Sequence, residues 1–355
     1  MGVEPAAAVL PSVTRAVVLY SPGDLRLEQV PLPAPGPGDL VVRIRACGLC
    51  PGEAMDWYMA RKAPLALGHE PVGEIIHAGP GVRGFAVGER VFVHHHAPCL
   101  RCARCRRGDF VHCVTWRRSR LHPGGVSEFA VVPSEIVRGD TLRLPAALDD
   151  DPATFIEPLA CVVKSLRRGG LRPGASVLVI GLGVMGLLHV MLARRLGAGM
   201  VIGADRIPAR LARARTAGAD ASVHVKEEAD VPLAESVRTL TQGEGADLVI
   251  VGPGTTEAIE SGFAAAAPGG TLVLFTPTPP DRRWALPVHD AYFREVRIVP
   301  SYSAGPDDTA EALRHLLDGL PVESLITHRL PLDAAAEGYR LVREAKDALK
   351  VVVRP

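Results

Sequence analysis

Four cysteines crowd into one short stretch of this 355-residue chain, in the pattern Cys99-x2-Cys102-x2-Cys105-x7-Cys113. Four thiolates around a tetrahedral Zn2+ at ~2.3 Å leave no open coordination position, so the spacing predicts a structural ion rather than a catalytic one. Arg101, Arg104, Arg106, Arg107, Arg117, Arg118 and Arg120 surround it. Part of that charge compensates the net negative charge of a four-thiolate zinc. Two other chemistries share the residue types. A nucleic-acid knuckle is opposed by few interleaved aromatics and a formal net charge of +1. An iron–sulfur cluster is opposed by the long last interval and by the lack of a proline after Cys113.

A second pattern is Gly181-Leu-Gly183-Val184-Met185-Gly186, which follows the apolar run SVLVI and opens an amphipathic helix. Gly181 permits a tight turn, Gly183 lets backbone approach a pyrophosphate, and Gly186 allows close helix–strand packing. The free N–H groups of the first helical turn, at Val184 and Met185, then hold the phosphate charge. Asp205 ends the next strand, about twenty residues on, where a carboxylate accepts from ribose hydroxyls and repels a 2′-phosphate. At ~4 Å and an effective dielectric near 20, that repulsion is about 4 kcal/mol before screening. NAD(H) is therefore the expected cofactor. Arg206 and Arg210 stand close enough in sequence to accommodate a phosphate, which keeps NADP(H) open as the alternative.

Cys50, His69 and Glu70 fall in turns of the β-rich N-terminal region, and Glu157 stands in Ile156-Glu157-Pro158 at a domain junction. Here the chain resembles a known family. Cys47-Gly-Leu-Cys50, Gly68-His69-Glu70, the cysteine lobe, Glu157-Pro158-Leu159-Ala160 and GLGVMG occur in the order found in zinc-dependent medium-chain dehydrogenases. The threonine and sorbitol (polyol) dehydrogenase branch is the most similar. GGVSEF (124–129), GEGADLVI (243–250) and LITHRLPLDAAAEGY (325–339) extend the resemblance over nearly the whole chain. It implies that Cys50, His69 and Glu157 hold a catalytic zinc, with Glu70 an adjacent carboxylate that ligates or yields to substrate. Glu157 stands where other branches place a second Cys. Cys47 and Cys161 read as small buried residues. The tract His94-His95-His96 is left out of the site, because in a strand successive side chains alternate faces.

The implied activity is reversible hydride transfer between a nicotinamide and a secondary alcohol, polyol or amino alcohol and its ketone, with zinc stabilising the alkoxide. One position departs from the family. After the zinc Cys its members carry a small residue, then Ser or Thr, then Asp; this chain has Cys50-Pro51-Gly52-Glu53. The hydroxyl that begins a proton relay is missing, and Glu53 replaces the acid that orients the zinc His. Glu53, Glu70 or an ordered water is then expected to move the proton. A non-catalytic dinucleotide-binding scaffold and an NADP-dependent carbonyl reductase are the competing functions.

The elements must bring these residues together. Strands are expected at Arg15–Tyr20, Val41–Arg45, Val72–His77, Arg90–His94 and Phe129–Pro133, giving a β-rich, Greek-key or barrel-like domain over 1–160 with the zinc lobe at about 94–120; the resemblance implies that it is a GroES-like catalytic domain. A helix is expected over Ala153–Arg168. From Ser176 the chain alternates strand, turn and helix, which specifies a Rossmann doubly wound parallel sheet over 161–298. Residues 299–355 are expected to return to the catalytic domain, with helices at Asp307–Leu317 and Asp333–Lys346 and a strand at Lys350–Val353. The fold class is thus α/β with a second, β-rich domain, and the reacting groups are expected in the cleft between the two. Aromatics are 5% of residues, so the cores must be built from Ala, Val, Leu and Ile. Near-zero net charge argues against nucleic acid as partner, and no apolar run of about 18 residues suits a membrane. The first 13 residues lack the features of a signal peptide, and clustered thiols suit a reducing compartment, so the expected location is cytoplasmic. A homodimer or homotetramer is what the resemblance implies.

Overall fold

The computed structural model describes residues 10–226 and 231–355. The chain divides into two compact units, one running to Ile156 and resuming at Ile326–Pro355, the other Glu157–Leu325.

In the first unit short β-branched runs pair mostly antiparallel. Its larger sheet has the order Ile326–Pro331, Lys350–Arg354, Leu40–Gly48, Glu70–Ala78, Arg90–Val93, Thr141–Arg143, with Phe129–Val132 also paired to Leu40–Gly48. A three-stranded sheet of Asp24–Pro31, Val13–Ser21 and Leu65–Ala66 completes it. Val17, Leu40, Val42, Ile44, Ile75 and Val351 fill the core between them. Register decides what meets at the strand ends: Gly48 lies opposite both Glu70 and Val352. Cys50, Glu70 and Lys350 therefore come from three different strand ends at one place. The strand expected at Arg90–His94 stops at Val93, so the alternation that separated His94, His95 and His96 does not apply to them.

The second unit holds six parallel strands in the order Ala221–His224, Met200–Asp205, Ser176–Ile180, Ala246–Val251, Ala266–Leu274, Arg297–Pro300. Val177, Leu178, Val179, Val249 and Leu272 are wholly buried, as suits strands covered on both faces. The strand order reverses at Ser176–Ile180, which has Met200–Asp205 on one side and Ala246–Val251 on the other. A doubly wound sheet opens its ligand crevice at that point. Residues 299–325, expected with the catalytic unit, stay here instead; the return falls at Ile326. The reason is that Arg297–Pro300 adds a sixth strand and Arg167 ties the helix Pro306–Leu317 down through Asp308.

The helix expected over Ala153–Arg168 is two, Asp150–Ala153 and Ile156–Gly169. Pro158 explains the break. It has no N–H to give and tolerates only a first turn, so the helix must restart just before it. Among the described residues no helix is long and apolar enough to cross a membrane.

Candidate metal and nucleotide sites

In the first unit a short 3-10 turn, Pro51–Ala54, follows Cys50, and the Gly52 N–H donates to Cys50 Sγ at 3.3 Å. The turn carries Glu53 back beneath His69. Glu53 accepts from the Gly68 N–H at 2.9 Å, lies 2.8 Å from His69 Nδ1, and accepts from the Tyr339 hydroxyl at 2.5 Å. Burial pushes the Glu53 carboxyl up, but His69, Tyr339 and the Gly68 N–H outweigh it and hold the group below its usual range. An ionised Glu53 requires the proton of His69 on Nδ1, which leaves Nε2 for a metal. Burial pushes His69 down, yet Glu53 and Cys50 together raise it well above the ordinary imidazole value.

Ligand atoms of Cys50, His69 and Glu70 all lie within 4.8 Å of one another. One sulfur, one nitrogen and one oxygen at that spacing fit a single zinc with a position to spare. Glu70 has a competing partner, however: it is 1% exposed and paired through Oε2 with Lys350 Nζ, itself 1% exposed. Glu157 opens the second unit in the helix Ile156–Gly169, buried, with Cys161 Sγ 3.5 Å from its Oε1. Cys47 is fully buried as expected, and burial pushes its thiol far up.

Three residues of this region were not expected. Tyr339 and Lys350 lie in the C-terminal segment: the helix Ala335–Glu344 carries Tyr339 to Glu53, and the register of the strand Lys350–Arg354 carries Lys350 to Glu70. His95 sits with its ring centroid 5.0 Å from that of His69. Burial, then His96, His94, His69 and Lys62, push its pKa well below the ordinary value, so His95 is neutral.

The four cysteines of the lobe form a second cluster, their sulfurs within 4.8 Å of one another. Cys102 and Cys105 sulfurs are 3.5 Å apart, and the Cys99 N–H donates to Cys113 Sγ at 3.4 Å. Backbone N–H groups of Arg101 and Cys102 lower the Cys99 thiol. Burial raises Cys113, but N–H groups of Cys99 and Trp116 bring it below the usual range. Burial raises Cys105, which its sulfur neighbours push further. The set suits a fully enclosed ion. All seven flanking arginines are exposed. Arg106 donates to the Arg101 carbonyl at 2.7 Å and Arg107 pairs with Asp109 at 3.2 Å, so some of that charge closes the lobe on itself.

In the second unit the glycine turn follows Ser176–Ile180 and leads into the helix Val184–Arg195. Gly181 has φ +85°, and a Cβ on Gly186 would overlap the Gly181 carbonyl oxygen. At Gly183 such an atom would meet nothing closer than Arg210 Nη1 at 4.0 Å, so backbone is open to a ligand there. The helix start has no side-chain cap, which leaves its N–H groups available to a phosphate. Asp205 accepts from the Leu182 N–H at 2.6 Å and the Ile207 N–H at 2.8 Å, with Arg210 Nη1 3.8 Å from Oδ2. Arg206 is exposed.

The chain is similar to known dehydrogenases. Residues 36–139 match the alcohol dehydrogenase GroES-like domain and residues 184–318 the zinc-binding dehydrogenase domain. The sorbitol dehydrogenase of Rattus norvegicus is 28% identical, covering 96% of this chain and 95% of its own. The L-threonine 3-dehydrogenase of Pyrococcus horikoshii is 33% identical over 73% of this chain and 74% of its own. A solved structure described as a zinc-binding dehydrogenase, from Sinorhizobium meliloti with NADP bound, is 31% identical, covers 97% of this chain and 100% of its own, and superposes with a TM-score of 0.85. The chain belongs to the zinc-dependent medium-chain alcohol dehydrogenases. It is an oxidoreductase of the zinc and nicotinamide dinucleotide class.

Proposed function

We propose that this enzyme oxidises a secondary alcohol or polyol to the ketone, reversibly, with NAD as hydride acceptor. The observation that carries the reading is the convergence of Cys50, His69 and Glu70 within 4.8 Å, with His69 Nδ1 already held by Glu53. Cys50 and His69 would hold the catalytic zinc, and Glu157 is the acidic ligand that the family resemblance implies. Bound there, zinc would supply a Lewis acid that stabilises the alkoxide. Glu53 positions His69 rather than carrying the substrate proton, because its carboxylate already receives three donors. Lys350 pairs with Glu70 Oε2 and so fixes the carboxylate beside Cys50 and His69. Cys99, Cys102, Cys105 and Cys113 would hold a structural zinc. Val184, Met185 and Gly186 offer N–H groups to the pyrophosphate, and Asp205 accepts from the ribose.

A second cofactor reading has its own support. Arg210 lies beside both Asp205 and Gly183, where its charge offsets the repulsion of a 2′-phosphate. Use of NADP as a slower alternative follows. A homodimer or homotetramer in a reducing, cytoplasmic compartment completes the proposal; light scattering reads the first. The test of activity is a panel of polyols, amino alcohols and simple secondary alcohols with NAD, followed by absorbance of the reduced nicotinamide. Turnover of at least one panel member supports the reading, and binding of the cofactor without turnover of any points to a scaffold.

A further inference from the structure

The cysteine lobe carries more charge than its metal accounts for. From Leu100 to Arg120 there are seven arginines and a single carboxylate, Asp109. A four-thiolate zinc has a net charge of about −2, so the arginines leave a surplus of about four positive charges. The whole chain is only +1, so this charge is gathered on one short lobe rather than spread. All seven arginines are exposed, and among the described residues only Arg107 meets a carboxylate, Asp109 at 3.2 Å. Arg104 is held by the His112 carbonyl and Arg106 by the Arg101 carbonyl. Those bonds leave most N–H groups of each fork free while fixing its direction.

Leu100 is a second anomaly at the same place. Its φ of +59° lies in the left-handed region, which glycine or asparagine enters cheaply and a bulky side chain rarely does. It is also 49% exposed and has no part in the small core of Cys105, Val111, Cys113 and Trp116. Glycine would serve the turn better, since the turn's task is to aim the Arg101 and Cys102 N–H groups at Cys99. Val114, 55% exposed, opens the short helix Val114–Arg118 of the same lobe. A strained, exposed leucine among guanidiniums without carboxylates is a feature that a contact surface explains and a merely solvated face does not.

We propose that this lobe is a docking surface for an acidic segment of a partner protein, whose carboxylates meet Arg101, Arg118 and Arg120 and whose apolar side chains meet Leu100 and Val114. A guanidinium fork takes a carboxylate through two parallel N–H groups, which gives register as well as attraction. Nucleic acid fits less well. Single strands are held by stacking on exposed aromatic rings, and the lobe's Phe110 and Trp116 are packed into its core. Docking on this surface leaves the hydride chemistry untouched, so the inference stands apart from the dehydrogenase reading.

The test uses the zinc-loaded full chain and measures binding of four probes: a Glu-rich peptide with interspersed Leu, an all-Glu peptide of equal charge, oligouridine, and phosphatidylserine vesicles. The Glu/Leu peptide should bind tightest, and raising salt from about 0.05 to about 0.5 M should weaken it about tenfold or more. Arg101→Ser/Arg118→Ser/Arg120→Ser should weaken both peptides by about tenfold or more. Leu100→Asn/Val114→Thr should weaken the Glu/Leu peptide by about 3- to 10-fold and leave the all-Glu peptide unchanged. Arg213→Ser/Arg215→Ser, which removes charge from the helix Pro208–Thr216 instead, should bind both as the unaltered chain does. Zinc content and melting temperature confirm that each variant is folded; if the triple variant loses zinc, Arg118→Ser and Arg120→Ser singly carry the test. The inference is overturned if neither peptide binds at low salt, or if oligouridine or vesicles bind more tightly than the Glu/Leu peptide. It is also overturned if the lobe variants bind like the unaltered chain, or if the Arg213/Arg215 variant loses as much as they do.

Discussion

The two candidate metal sites of the first unit are built on opposite principles. The lobe takes all four donors from one continuous stretch, Cys99 to Cys113, whose own turns aim its N–H groups at the sulfurs. The Cys50–His69 site gathers side chains from distant segments and leaves each with a further partner: Gly52 on Cys50, Glu53 on His69, Lys350 on Glu70. A closed set of like donors holds an ion for folding. A mixed set kept in tension with its neighbours leaves a position where ligands can exchange. The difference separates a metal that maintains structure from one that does chemistry.

The largest expected effect breaks the closed site. Cys113→Ser should release the lobe's zinc and unfold the lobe, since binding and folding are one free energy there, about 10–16 kcal/mol apparent in zinc-finger peptides. Limited proteolysis between 94 and 120 reads this; a lobe that stays protected and loaded would contradict the structural role.

Next in size is the ion pair beside the open site. Lys350→Met should destabilise the first unit by about 3–5 kcal/mol, because it removes the cation buried against Glu70. The double variant Lys350→Met/Glu70→Leu should recover most of the loss in thermal melting. If the single variant melts like the unaltered protein, the buried pair does not hold this part of the first unit together.

Glu53→Gln should weaken zinc binding or activity by about 10- to 100-fold, the usual cost of disturbing a partner that orients a metal-bound imidazole. Tyr339→Phe, which removes one of three donors to Glu53, should cost less than about tenfold. A Tyr339→Phe effect larger than that of Glu53→Gln would reverse the assigned hierarchy.

The smallest effect lies in the second unit, where Arg210→Ala should shift the ratio of NADP to NAD kcat/KM downward by a few-fold. An upward shift would show that Arg210 does not offset Asp205.

What the sequence revealed follows the same division. Local patterns were readable: the cysteine spacing, the glycine turn with Asp205, and the apolar runs of the parallel sheet are each set within about thirty residues. The open site is not local. Tyr339 reaches Glu53 across 286 positions from the helix Ala335–Glu344, and Lys350 reaches Glu70 across 280 through the pairing of Lys350–Arg354 against Leu40–Gly48. His95 was set aside on an alternation that needs a strand, and the strand ends two residues earlier at Val93. Pro158 is a local signal for the helix restart at Ile156.

The distinction between the sites is tested most directly by counting metal. The unaltered enzyme should hold about two zinc ions per chain, and Cys50→Ser/His69→Ala about one, with melting temperature and NADH binding preserved and turnover abolished. A variant that still carries both ions, or an unaltered enzyme that never carries more than the lobe's, would contradict it.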